Sequence, residues 1–262
     1  MAKTVRRCHK YFYTNFSMSK IYCIYTNKDI EFIESTPEHI IPLSLGGCNL
    51  FVIPVLKEKN AELGITVDGE MVKDSVISLH RTDMGYKGHS RKKVTSVFKK
   101  AFLKKTGKPV QVRYDKGKVN VYSPIDKRDL IDKELSGEIV RATISYNQLI
   151  RIVFTAKVAL ATGYYIYGDV FVQHADHESL RKLMNYKKED SLESLKNLPL
   201  EVECSLSSNE DLDEKKLICT IMETSSVQLK LYSDRNKIRV TVGIGGKFVG
   251  SVTFFASVGH FP

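Results

Sequence analysis

Residues 35–64 read STPEHIIPLSLGGCNLFVIPVLKEKNAELG. Pro37 and Pro42 bracket Glu38-His39-Ile40-Ile41, and Leu45-Gly46-Gly47 makes a turn. Leu50–Leu56 is an apolar run of strand-forming residues, and Lys57–Leu63 is a short helical stretch stopped by Gly64. Pro54 puts the strand at a sheet edge, because proline cannot donate to a ladder. The expected order is strand, turn, strand, helix. Three polar features punctuate it: the Glu38-His39 pair, Asn49 before the second strand, and Asn60 in the helix. A glutamate carboxylate and an asparagine amide oxygen are hard donors of the kind Mg²⁺ takes alongside water and phosphate oxygen. A histidine that is neutral near pH 7 can take a proton from an attacking water. The pattern therefore predicts a metal–phosphate site. With one carboxylate in the turn-and-strand stretch, it predicts one cation rather than two. Adjacent residues on a regular strand point to opposite faces, so Glu38 and His39 can serve one phosphate only where the strand ends or twists.

Glu38-His39-Ile40-Ile41-Pro42, Leu45-Gly46-Gly47, Asn60 and Leu63-Gly64 resemble the HNH (ββα-metal, His-Me finger) endonucleases. The closest likeness is to the bacterial branch whose signature reads EHIIP-x-x-LGG followed by N-x-x-LG. The resemblance implies His39 as general base and Glu38 and Asn60 as metal ligands. It implies Asn49 as the middle residue of the catalytic motif, bracing the loop by hydrogen bonding. It further implies a divalent cation, Mg²⁺ or alternatively Mn²⁺, and hydrolysis that leaves a 5′-phosphate and a 3′-hydroxyl. Met84–Lys93 is similar to the basic loop that follows the motif in this branch, and Lys157-Val158-Ala159-Leu160 and Leu180-Arg181 are similar to later segments. The chain departs from the pattern twice. Many members of that family flank the motif with two Cys-x-x-Cys pairs for a structural zinc. The corresponding positions here are Cys23 with Thr26 and Leu56 with Lys59, so no structural zinc is expected. The spacing from Asn49 to Asn60 is also longer than usual.

Outward from this stretch, charge supplies the next signal. The chain has 262 residues and a net charge of +10, which favours a polyanionic partner. Residues 1–123 hold 22 Lys/Arg against 11 Asp/Glu, while the remainder holds 18 against 19. The run from Lys87 to Lys118 has twelve basic residues against one acid, Asp115. Lys87, His89, Arg91, Lys92, Lys93, Lys99 and Lys100 are the candidate DNA contacts, positioning the duplex through phosphates without reading sequence. Residues 1–20 add a basic, aromatic segment including Arg6, Arg7, Lys10 and Tyr11. The five cysteines are widely spaced and form no Cys-x-x-Cys pair. No signal-peptide pattern or uninterrupted membrane span is read, and Arg151 and Lys157 lie just before the longest apolar stretch. A cytoplasmic location without a membrane partner is expected.

The rest of the chain sets the fold class. Ile21–Tyr25 and Asp29–Ile33 read as strands, and Asp68–Arg81 as a helix with Val72, Val76 and Leu79 inward. Val94–Lys105 has helical spacing, and Pro109–Arg113 with Lys118–Tyr122 reads as a hairpin around Asp115-Lys116-Gly117. Asn147–Tyr167 is apolar almost all round and reads as a buried central helix. His177–Asn185 is a shorter helix, with Asp176 as its cap rather than part of a metal site. Leu217–Thr220, Val227–Tyr232, Lys237–Val242 and Phe248–Phe255 read as a meander, with Gly243–Gly246 as a hairpin turn and not a dinucleotide loop.

The expected class is α+β: an N-terminal ββα-metal nuclease element with a basic extension (1–123), then a helix plus antiparallel meander (124–262) for dimerisation or target recognition. The expected activity is metal-dependent cleavage of double-stranded DNA, in a setting such as restriction or phage defence. A nuclease acting on RNA, a non-catalytic nucleic-acid-binding protein and a membrane-surface protein remain as alternatives.

Overall fold

The structure, a computed structural model, describes residues 20–88, 91–92, 94–144, 146–187, 192–204 and 225–262. The candidate contacts His89 and Lys93, the basic segment before Lys20 and the expected strand Leu217–Thr220 lie outside the described residues. The mixture of helices and antiparallel sheets is α+β.

β1 (Lys20–Cys23) and β2 (Lys28–Glu31) form a hairpin, turned by Asn27 in the left-handed region at φ 57°. β3 (Ser35–His39) pairs antiparallel with β4 (Val52–Leu56), and α1 (Lys57–Leu63) follows directly. Pro37 faces Pro54 across this two-stranded ladder, which suits residues that lack a donor. The turn between them requires glycine. A Cβ on Gly47 would lie 1.6 Å from the carbonyl oxygen of Ile41.

A single wide helical turn, Gly64–Asp68, and the short α2 (Gly69–Met71) lead to α3 (Ser75–Met84). The single helix expected over 68–81 is therefore broken. Asp74 accepts hydrogen bonds from the amides of Val76 and Ile77 and starts a new helix there. The new phase buries Ile77, whereas Val76 and Leu79 are only half-buried.

The expected helix 94–105 is instead a strand, β5 (Ser96–Leu103). It pairs with β6 (Pro109–Asp115) and β9 (Val140–Ala142); β7 (Lys118–Ser123) and β8 (Arg128–Asp129) complete a five-stranded sheet in the order 8-7-6-5-9. A bulge between Phe98 and Ala101 explains the misleading period. One extra residue shifts the in–out alternation, so apolar positions fall three and four apart as they would on a helix. Lys99 and Lys100 lie in that bulge, exposed. The β6–β7 turn uses Lys116 and Gly117 at φ 46° and 79°, the handedness a two-residue hairpin needs. α4 (Asp132–Leu135) covers one side, over a small core of Ala101, Leu103, Val110 and Val121. The sheet runs from Ser96 to Ala142, so residue 123, where the charge balance changes, falls within it.

α5 (Gln148–Tyr167) is the axis of the main core. Asn147 caps it by accepting from the amide of Ile150, and most of its residues are buried. It is long and apolar enough to cross a bilayer, but 72% of its most apolar window is buried inside the protein. It packs against the helix His177–Met184, the C-terminal sheet, β4 and the 64–68 turn. α6 (Asp169–His174) folds back onto it, bringing Phe171 against Gly163 so closely that any Cβ there would clash. α7 (His177–Met184) is capped by Asp176 as expected, and α8 (Leu192–Lys196) follows. β10 (Glu201–Glu203), β11 (Ser226–Tyr232), β12 (Lys237–Ile244) and β13 (Lys247–Phe255) form an antiparallel sheet in the order 10-13-12-11. Gly245 and Gly246, both at positive φ, turn β12 into β13.

Candidate active site

The site grows from where β3 stops. His39 is its last residue, and the chain then turns through Pro42 and the tight Leu43–Leu45 helical turn. The strand end answers the alternation problem. Glu38 is buried and His39 half-buried, yet both line one cleft of about 480 Å³ together with Asn60, Asp68, Lys57 and Ser44. Asn60 comes from α1, which the β3–β4 hairpin holds across the cleft.

Asn49, exposed in the loop before β4, presents its amide oxygen 2.9 Å from Nε2 of His39. An amide oxygen only accepts, so in the tautomer that makes this hydrogen bond Nε2 carries the proton and Nδ1 the lone pair. The amide of Ile40 donates to the carbonyl of Phe51, pinning the loop's return. Arg81 of α3 donates from Nε to the carbonyl of Ser44 and holds the turn from the other side. Asn49 thus ties the loop before β4 to the end of β3.

Glu38 is not a lone carboxylate. Its Oε1 lies 2.5 Å from the ammonium of Lys157, a fully buried residue of α5. The same ammonium donates to both oxygens of Asp68, at 2.8 and 2.6 Å. Burial raises the pKa of Glu38. The Lys157 charge opposes that rise, Asp68 adds to it, and His39 opposes it. For Lys157, burial pulls the pKa down, but Asp68 and Glu38 together more than offset this and the net shift is upward. The ammonium is therefore the charged centre of the group. Tyr25, wholly buried, is pushed well above its ordinary pKa by burial and then by Glu38 and Asp68. Its hydroxyl has no hydrogen-bond partner among the described residues.

Asp68 and Lys157 were not singled out as site residues from the sequence. Asp68 lies four residues beyond the stretch read for ligands. The wide turn after α1 brings it to the cleft, so the site has two carboxylates rather than one. Lys157 did carry a signal: a lysine flanked by apolar residues in a core helix has to find a buried acid.

The donors lining the cleft are the oxygens of Glu38, Asp68 and Asn60, and the imidazole of His39. This set suits a hard divalent cation in its chemistry. Among the described residues no three His, Cys, Asp or Glu side chains stand together as a metal cage. A cation here would keep water and phosphate oxygens among its ligands, as Mg²⁺ does.

Cys23 and Leu56 meet in the core. The amide of Leu56 donates to Sγ of buried Cys23 at 3.3 Å, within a packed cluster that includes Ile24 and Tyr25. Lys87, Arg91, Lys92, Lys99 and Lys100 are all exposed. Gly88 lines the cleft, so the basic loop begins at its rim. No family model, curated protein or solved structure matches the chain.

Proposed function

We propose that the protein is a metal-dependent endonuclease that hydrolyses phosphodiester bonds in double-stranded DNA, with Mg²⁺ or Mn²⁺ as cofactor. The observation that carries this reading is the arrangement of His39. It is oriented through Nε2 by Asn49 and shares one cleft with Glu38 and Asn60 at the junction of a β-hairpin and a helix. In this reading Nδ1 of His39 accepts the proton of the attacking water, and Asn49 fixes the ring that does so. Glu38 and Asn60 supply oxygens to the cation. When bound, the cation stabilises the charge developing on the phosphate and the leaving oxygen. The exposed Lys87, Arg91, Lys92, Lys99 and Lys100 hold the backbone. Defence against foreign DNA suits such an activity, and a second copy of the chain would let it cut both strands.

The test is nicking of supercoiled plasmid by wild type and His39→Ala with Mg²⁺, Mn²⁺ or EDTA. Wild type should nick only with metal. His39→Ala should lose about 10²–10⁴-fold in rate, the usual share of a general base, while binding DNA as before. A second reading, a non-catalytic nucleic-acid-binding protein, is favoured by one observation: Glu38 is buried and already ion-paired with Lys157. DNA binding without cutting of DNA or RNA under any metal would establish it. Cutting of RNA alone would keep the site and change the substrate.

A further inference from the structure

The two carboxylates and one ammonium behind the cleft form a unit. Lys157 sits near the middle of α5 with its side chain fully buried, whereas Glu38 and Asp68 keep 9% and 14% of their side chains exposed. The acids border the cleft, and the ammonium stands behind them. Glu38 comes from β3, Asp68 from the turn after α1, and Lys157 from the main core. One cation therefore ties both halves of the hairpin–helix unit to the central helix. Burying an ammonium costs several kcal/mol unless its donors are satisfied. Lys157 meets that cost with two short hydrogen bonds to Asp68 and an ion pair to Glu38. Asp68 anchors the ammonium and Glu38 is the carboxylate it holds. The hydroxyl of Tyr25 is wholly buried and unpartnered among the described residues, and burial first, then Glu38 and Asp68, push its pKa up.

Resting on the metal-dependent reading above, we infer that Lys157, anchored by Asp68, is a positioning residue that fixes the Glu38 carboxylate at the cleft for cation binding. The alternative is that Lys157 acts only as a positive charge near the site, and the two roles have opposite signs. A bare charge repels a divalent cation, so its removal would tighten metal binding. A positioning clamp orients a ligand, so its removal loosens binding despite the more negative cleft. Partners that orient a ligand commonly carry ten- to a hundredfold of metal affinity.

The test is Mn²⁺ binding to the full chain without DNA, followed by electron paramagnetic resonance, for wild type, Lys157→Met, Lys157→Arg and Asp68→Asn. Circular dichroism checks that each variant is folded. The clamp predicts at least tenfold weaker Mn²⁺ binding in Lys157→Met and in Asp68→Asn, with partial recovery in Lys157→Arg. Unchanged or tighter binding in folded Lys157→Met overturns it. Should Lys157→Met fail to fold, Asp68→Asn decides: unchanged affinity there overturns the clamp. If wild type binds Mn²⁺ and both variants match it, only the clamp falls. If wild type binds no Mn²⁺ at all, the metal-dependent reading falls and the clamp with it.

Discussion

The cleft-bearing hairpin and helix at 35–68 and the five-stranded sheet at 96–142, separated in sequence by α2 and α3, are held differently. The first shares the apolar main core through residues such as Ile53, Val55 and Leu63, and buried charge ties it and the start of α3 to α5 as well. α5 sends out two cations six residues apart, about 9 Å along its axis. Arg151 meets Asp74, the cap of α3, through two hydrogen bonds of 3.0 and 2.8 Å, with both side chains almost fully buried. Lys157 meets Glu38 and Asp68. The sheet instead stands on four fully buried residues of its own, and its ion pairs lie at the surface: Lys108–Asp126, Arg113–Asp129 and Arg128–Glu134. Surface pairs contribute little to stability, whereas a buried pair becomes costly once one partner is removed. The cleft is thus placed by interactions that fail all at once, and the sheet by a small core that can fail alone.

The largest effect should come from breaking the buried link. Arg151→Met leaves Asp74 buried without its counter-ion and should cost about 3–5 kcal/mol. Because α5 and the cleft share one core, probes in α5 and in the cleft should report the same transition, moved to lower denaturant. Different midpoints for those two probes would mean that the cleft is not coupled to the central helix.

Leu103→Ala should cost less, about 2 kcal/mol, the low end for a buried leucine because the small core borders solvent. The loss should also be local. Hydrogen exchange should speed up in β5, β6, β7 and β9 while the amides of α5 keep their protection. Equal acceleration in α5 would show one cooperative unit and remove the contrast between the regions.

The same contrast explains what the sequence made legible. The hairpin was readable because prolines and glycines punctuate it, but Gly64 does not stop the helix: it stays right-handed and opens the wide turn to Asp68. α5 and the C-terminal strands from Ser226 onward were readable because a core helix is apolar all round and a meander alternates. β5 was not, because its bulge disguises alternation as a helical period. At the cleft, adjacent polar residues were visible: Glu38 with His39, then Asn49 and Asn60. Asp68 and Lys157 were not, because their meeting is a contact across 89 positions that no local pattern encodes. Even so, Lys157 sits where an apolar helix has no other use for a lysine.

The smallest effect on stability, and the sharpest on binding, concerns the exposed basic residues. Arg91 and Lys92 follow the cleft rim, and Lys99 and Lys100 occupy the bulge of the sheet, where the amide of Thr143 bonds the carbonyl of Lys100. All four are exposed, so replacing either pair by serine should change stability by no more than about 0.5 kcal/mol. If both regions lie against the duplex, each double replacement should flatten the plot of log affinity against log salt. The expected drop is about 0.9 in slope for every phosphate contact removed, or up to roughly 1.8 per pair. The expected outcome is a drop in both, measured by fluorescence anisotropy on one duplex across a salt series. A slope that falls for Arg91 and Lys92 but holds for Lys99 and Lys100 would confine the duplex to the cleft side. The bulge lysines would then be a solvated face, because releasing a counterion requires a phosphate within reach and exposure alone does not supply one.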